Sequence, residues 1–189
     1  MSGFTEVGLF LVSVLFGLIT LSLWLRITLR YFKISTLNQF CHLIHTITNP
    51  LVFPINLAIK HNPKTRYDWS SLIALIVIEF IKIICLSLLY FHHVIPIHYL
   101  IIYVLADLII QPCNILFYAI IIRLVMDFMN NNLQHPAADF IKLLTQPLFI
   151  FGRRLVPNIS GFDFAPFIMM IILKVITLFI LSALPWRLL

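Results

Sequence analysis

The chain has 189 residues, of which 61% are hydrophobic and only 11% charged, too little charge to cover the surface of a soluble domain. Its net charge of +6 raises nucleic-acid binding, but the basic residues cluster in two connections between long apolar runs. That placement excludes nucleic acid as the partner and points to lipid. A hydrocarbon core about 30 Å thick needs about 20 mostly apolar residues at about 1.5 Å per residue.

The first apolar run, residues 7–25, contains no charge. It is preceded by MSGFTEVG, with Glu6 and no Lys or Arg, and ends in LWLRITLR rather than at a small-residue cleavage site. An uncleaved span is expected there, not a signal peptide. In the connection that follows, residues 26–70, the apolar positions Leu37, Phe40, Leu43, Ile44 and Ile47 recur at helical spacing among Asn38, Gln39, His42 and His45. This predicts a short amphipathic helix on the membrane surface. Pro50 is expected to stop it, because proline drives its predecessor out of helical geometry. The next stretch, LVFPINLAI, either re-enters the cytoplasmic leaflet or packs under the bundle.

The second run, residues 72–91, is apolar apart from Glu79 and Lys82, and HHVIPIH then turns the chain at Pro96. The third, residues 98–122, carries Asp107, Gln111 and Asn114. In the connection 123–163, residues 137–144 place Phe140, Ile141 and Leu144 beside Asp139 and Lys142, which predicts a second surface helix ended by Pro147. LFIFGRRLV follows it, and the fourth run, residues 164–184, carries only Lys174.

The first connection holds Arg26, Arg30, Lys33, Lys60, Lys64 and Arg66; the second holds Arg123, Lys142, Arg153 and Arg154. The short connection between spans two and three has no Lys or Arg, and Arg187 is the only basic residue near either terminus. By the positive-inside rule, connections 26–70 and 123–163 face the cytoplasm and both termini lie outside. Cys41, Cys85 and Cys113 show no metal-finger spacing, so no disulfide or metal site is expected.

An internal repeat is present. A shift of 97 residues lays Arg26 on Arg123, Thr48 on Thr145, Pro50 on Pro147 and Leu51 on Leu148. A second connection two residues shorter then brings Asp68-Trp69 onto Asp163-Phe164. The domains are therefore read as 1–92 and 93–189, each with two spans. An even number of crossings makes the copies parallel, about an axis near the membrane normal, unlike the inverted repeats of many transporters. The fold class is an all-α membrane protein of four spans, in two helix–loop–helix repeats whose loops each carry an interfacial helix.

With T-x-P-L present twice, and with GRRLVP and GFDFAP after the second, the chain closely resembles the YggT family of bacterial and plastid membrane proteins in its two-copy form. The residues that carry the likeness are Arg123, Thr145, Pro147, Arg153, Arg154, Pro157, Gly161, Asp163 and Pro166, and in the first copy Arg26, Thr48, Pro50, Pro54 and Asp68. The first copy departs from the pattern, with Ile55-Asn56 where the paired arginines are expected. The resemblance implies links to osmotic-shock tolerance and potassium uptake in bacteria. For relatives it implies cell division or nucleoid placement, and for plastid members cofactor assembly on cytochrome b6.

Charges inside spans cost on the order of 2.5–3.5 kcal/mol each and call for partners or a function. Glu79 and Lys174 each lie eleven residues after an aspartate of the repeat, at equivalent depth, while Lys82 and Asp107 lie at similar depths in spans two and three. The expected pairs are Glu79 with Lys174 and Lys82 with Asp107, as polar glue for the bundle or as a proton or cation route. Arg153 and Arg154 are expected to fix topology and attract anionic headgroups; an ion pair with Asp163 and a protein-docking role are the alternatives. Asp68 and Asp163 read as helix caps, Thr48 and Thr145 as local backbone binders, and the histidines as interfacial polar residues. Phosphate-binding, dinucleotide, zinc-protease and nucleophile-elbow motifs are missing, so no enzyme and no cofactor is expected. Two functions follow: a membrane protein of the bacterial inner membrane that affects ion balance, or a scaffold recruiting partners through its cytoplasmic loops.

Overall fold

Long apolar runs without a break propagate as helix, since in lipid a helix satisfies every backbone group within its own segment. A computed structural model describes residues 3–32, 39–58, 68–128, 136–156 and 163–185. Those residues form six α-helices and no strand: α1 (Gly3–Tyr31), α2 (Gln39–Ala58), α3 (Trp69–Phe91), α4 (Ile97–Phe128), α5 (Pro136–Leu155) and α6 (Ala165–Ala183). Four of them, α1, α3, α4 and α6, are long and apolar enough to cross a membrane. α1, α3 and α4 extend the expected spans where polar ends can still propagate, α4 continuing to Phe128 and taking in Arg123 and Asp127, while α6 stops one residue short at each end.

The connection between α3 and α4 is tight. His92 closes α3 in the left-handed conformation, at φ 59°, and donates its N–H to the Leu88 carbonyl. Ser87 straps the turn, its Oγ donating to the His93 carbonyl at 2.8 Å and accepting from Ile95 N at 3.0 Å. Residues 94–96 are not helical, and α4 begins immediately after Pro96.

The prolines do not end the intervening helices. α2 runs through Pro50 and Pro54, and α5 runs through Pro147. An interior proline removes one helical hydrogen bond and costs about 3 kcal/mol, so packing must offset it. Val52, beyond Pro50, is fully buried, and Phe149, beyond Pro147, is buried. Breaking either helix at its proline would take those side chains out of the core. Consequently LVFPINLA and LFIFGRRL are helical continuations rather than irregular segments. Leu37 and Asn38 lie outside the described residues.

The described residues divide into two compact units, one running to Leu108 and the other Ile109–Pro185. The dividing point falls inside α4, sixteen residues beyond the boundary at 92/93 expected from the sequence. In the first unit Leu23, Val52, Ala74, Leu75 and Ile78 form the core, with Ile19, Ile27, Leu51 and Ile55 packed against it. In the second, the core is Ile120, Phe149, Met169 and Leu173, with Leu116, Leu124, Leu148 and Met170 against it. The offset of 97, or 95 after the second connection, carries Leu23, Val52, Ala74 and Ile78 onto those four core residues in order.

Candidate functional site

The most unusual chemistry in the first unit is a charged cluster inside its apolar core. Glu79 and Lys82 lie one turn apart on α3, and Asp107 comes from α4; their exposures are 0%, 7% and 3%. The Lys82 ammonium donates a hydrogen bond to Asp107 Oδ2 and lies 3.7 Å from Glu79 Oε2. One cation thus serves two carboxylates. Burying ions carries a desolvation penalty of several kcal/mol each, repaid only where opposite charges meet at short range, so the lysine is what makes both acids tolerable here. Glu79 and Lys174 belong to different units. Lys174, on α6, has its Nζ 5.2 Å from the centroid of the Phe117 ring, a cation–π contact worth about 0.5–2 kcal/mol.

A second feature recurs in both units. Arg26 of α1 donates from Nη1 to Thr48 Oγ1 at 2.8 Å, and Arg123 of α4 donates from Nη1 to Thr145 Oγ1 at 2.8 Å. Each threonine hydroxyl in turn donates to a carbonyl one turn back, Ile44 or Ile141, both at 2.7 Å. The threonines therefore do bind local backbone, and they also present a lone pair to an arginine from a neighbouring helix.

The carboxylates around this clamp are wired differently. In the first unit Asp68 caps α3, accepting from Ser71 N at 3.3 Å, and pairs with Arg26 at 3.4 Å and Arg30 at 3.3 Å. Burial pushes its carboxyl up, but hydrogen bonding from Ser71 and the charges of Arg30 and Arg26 pull it further down, to below the ordinary carboxylate range. Arg26 also donates to Asn49 Oδ1 at 3.0 Å. Nearby His45 is lowered by its burial and then by the Arg26 charge, which favours the neutral ring.

In the second unit Arg123 has Asp127 at 3.8 Å, the Lys142 carbonyl at 3.2 Å and the Phe149 ring at 4.1 Å. Asp163 instead takes Arg153, which donates from Nε at 2.8 Å and Nη2 at 2.6 Å. The cap of α6 is Phe164 rather than Asp163, since the chain is already in helical geometry there; Asp163 Oδ1 still accepts from Ala165 N at 3.0 Å. Arg154 is exposed, as are Pro50 and Pro147, and Pro166 is buried. Pro157 and Gly161 lie outside the described residues, as do Lys33, Lys60, Lys64 and Arg66.

Asn49 and Asp127 were not singled out from the sequence, and Arg30 was read only as one of the basic residues of the first connection. The signal was available: the 97-residue shift that aligns Arg26 with Arg123 also lays Arg30 on Asp127, a reversal of charge. The same shift places Asn56 and Leu57, not Ile55 and Asn56, where Arg153 and Arg154 stand. With no arginine there, Asp68 is served from α1. Among the described residues no group of three His, Cys, Asp or Glu side chains is placed to hold a metal ion, and the three cysteines are free thiols.

Six helices, four of them apolar enough to cross a bilayer, with charges buried between two of the four, define a helical chain of membrane-spanning character. The family profile described as CCB3/YggT matches residues 5–89 and 101–184. The chain belongs to the CCB3/YggT family. It is similar to the YggT protein of Escherichia coli strain K12, whose name carries the word uncharacterized, at 27% identity over 172 residues, or 89% of this chain and 86% of that one. A shorter likeness, 26% over 69 residues, covers 36% of the chain and 35% of the uncharacterized protein PA0392 of Pseudomonas aeruginosa. No solved structure matches.

Proposed function

We propose that this chain is a non-enzymatic protein of the bacterial cytoplasmic membrane that affects ion balance, as a small conduit or by regulating potassium uptake. Its polar path is built on Glu79, Lys82 and Asp107. The observation that carries this reading is the position of one ammonium between two carboxylates, all three buried within apolar helices. Such a cluster has one carboxyl group more than it has ammonium groups, and a low-dielectric surround strengthens the attraction of an ionised carboxylate for a small cation. The link to osmotic-shock tolerance that the sequence resemblance implies supports this reading.

In this reading the duplicated halves are parallel, and connections 26–70 and 123–163 face the cytoplasm. The asymmetry of Lys and Arg supports that orientation. α2 and α5 lie along the membrane surface, where the exposed Arg154 meets anionic headgroups.

The test is flux of potassium or protons into liposomes that hold the purified chain, with Glu79→Gln alongside. Flux that the substitution abolishes supports the conduit. A second reading, a scaffold for other machinery, is favoured by the exposed Arg153–Asp163 pair and by Arg154 beside it. Silent liposomes, together with partners lost from Arg153→Ala/Arg154→Ala cells, would support the scaffold instead.

A further inference from the structure

Lys174 is the tenth of nineteen residues in α6, so its Cα lies about 13 Å along the axis from either end of the helix. It is exposed, and it falls in one stripe with the exposed Phe167, Ile171 and Leu178. The opposite face of α6 buries Met169, Leu173 and Thr177. An ammonium at mid-span is too deep for its four-carbon stem to carry it fully into water. The Phe117 ring offsets only part of the penalty. A carboxylate at the same depth would remove most of the remainder, and burial of the flanking apolar stripe would exclude lipid and water around the pair.

We infer that Lys174 is the docking point for a membrane-spanning helix of a different protein, one that carries an Asp or Glu at the matching depth. Charge complementarity decides against a second copy of this chain. Among the described residues, the acids within the four spans are Glu6 in the first turn of α1, Glu79 and Asp107 buried around Lys82, and Asp127 in the last turn of α4. None stands exposed at mid-span, and a symmetric pair through α6 would bring two Lys174 ammonium groups together. This inference does not rest on the ion-path reading.

The experiment places a photoreactive benzoyl-phenylalanine at Leu178, one turn from Lys174 on the same stripe, in the full chain in the membranes of its native cells. The expected adduct joins a membrane-spanning peptide of another protein that carries a mid-span Asp or Glu. Lys174→Met should lower its yield at least tenfold at equal protein level, Lys174→Gln should do the same, and Lys174→Arg should keep it within about twofold. Lys174→Glu combined with a lysine in place of the partner's acid should restore it. Adducts to lipid alone, to a second copy or to the Glu79 region of the same chain would overturn the inference. So would a yield that Lys174→Met and Lys174→Gln leave unchanged.

Discussion

Gly152 of α5 lies so close to Met169 of α6 that a β-carbon on the glycine would stand 3.0 Å from Met169 Cγ and 2.9 Å from Ala165 Cβ. The sequence offset places Ile55 and Ala74 at the corresponding positions of the first unit, where Ile55 packs against the core that contains Ala74. Large meets small in one unit and small meets large in the other. Gly152→Ala is therefore expected to destabilise the chain by about 1–3 kcal/mol, the usual cost of overpacking. For a chain of this length that is about 2–4 °C of melting temperature per kcal/mol, read by thermal unfolding in detergent. Adding Met169→Ala should recover part of the loss; strictly additive losses would show that the two residues do not share one space.

The arginine–threonine clamp gives an ordered pair of effects. Thr48→Val leaves a guanidinium of 7% side-chain exposure without its hydroxyl acceptor, whereas Arg123, opposite Thr145, is 19% exposed. An unsatisfied buried polar group costs about 1–3 kcal/mol, and water relieves the more exposed one. Thr48→Val should thus destabilise more than Thr145→Val, with Thr48→Ser close to the parent. Chemical denaturation of the four proteins checks the order.

Acid should weaken the fold in two stages. His45 is held below its ordinary value, so the unfolded chain binds the proton first, and stability present above about pH 6.5 falls as pH drops through the folded value. Asp68 is likewise depressed; its contribution is present above the ordinary carboxylate value and is lost on further acidification, below about pH 4. His45→Gln should flatten the first decline and leave the second, and Asp68→Asn should do the reverse. Melting temperature followed across pH separates them.

The four spans were legible because bilayer thickness fixes a length that hydropathy reveals directly, and Glu79, Lys82 and Asp107 stood out as charges within those runs. The extents of α2 and α5 were not legible. The rule that proline breaks a helix is local, while the burial of Val52 and Phe149 that holds these helices together depends on residues far along the chain. The pairing of Arg30 was hidden for the same reason, since its carboxylate lies 38 positions away at Asp68. Gly152 read only as part of GRRLVP until α6 was packed against it.

Lys82 tests whether the buried cluster is held by its cation. Lys82→Met removes the group that hydrogen-bonds Asp107 and neighbours Glu79, and leaves two carboxylates inside the apolar core. Breaking a buried pair from one side costs about 3–5 kcal/mol, because the charge left behind loses its counterion in a low-dielectric surround. The single variant should therefore melt well below the parent. Lys82→Met/Asp107→Leu/Glu79→Gln, which removes the cation together with both carboxylates it serves, should regain much of that loss, since no buried charge of the cluster is left to desolvate. If the triple variant melts no higher than the single one, the lysine acts through packing of its stem rather than through its charge.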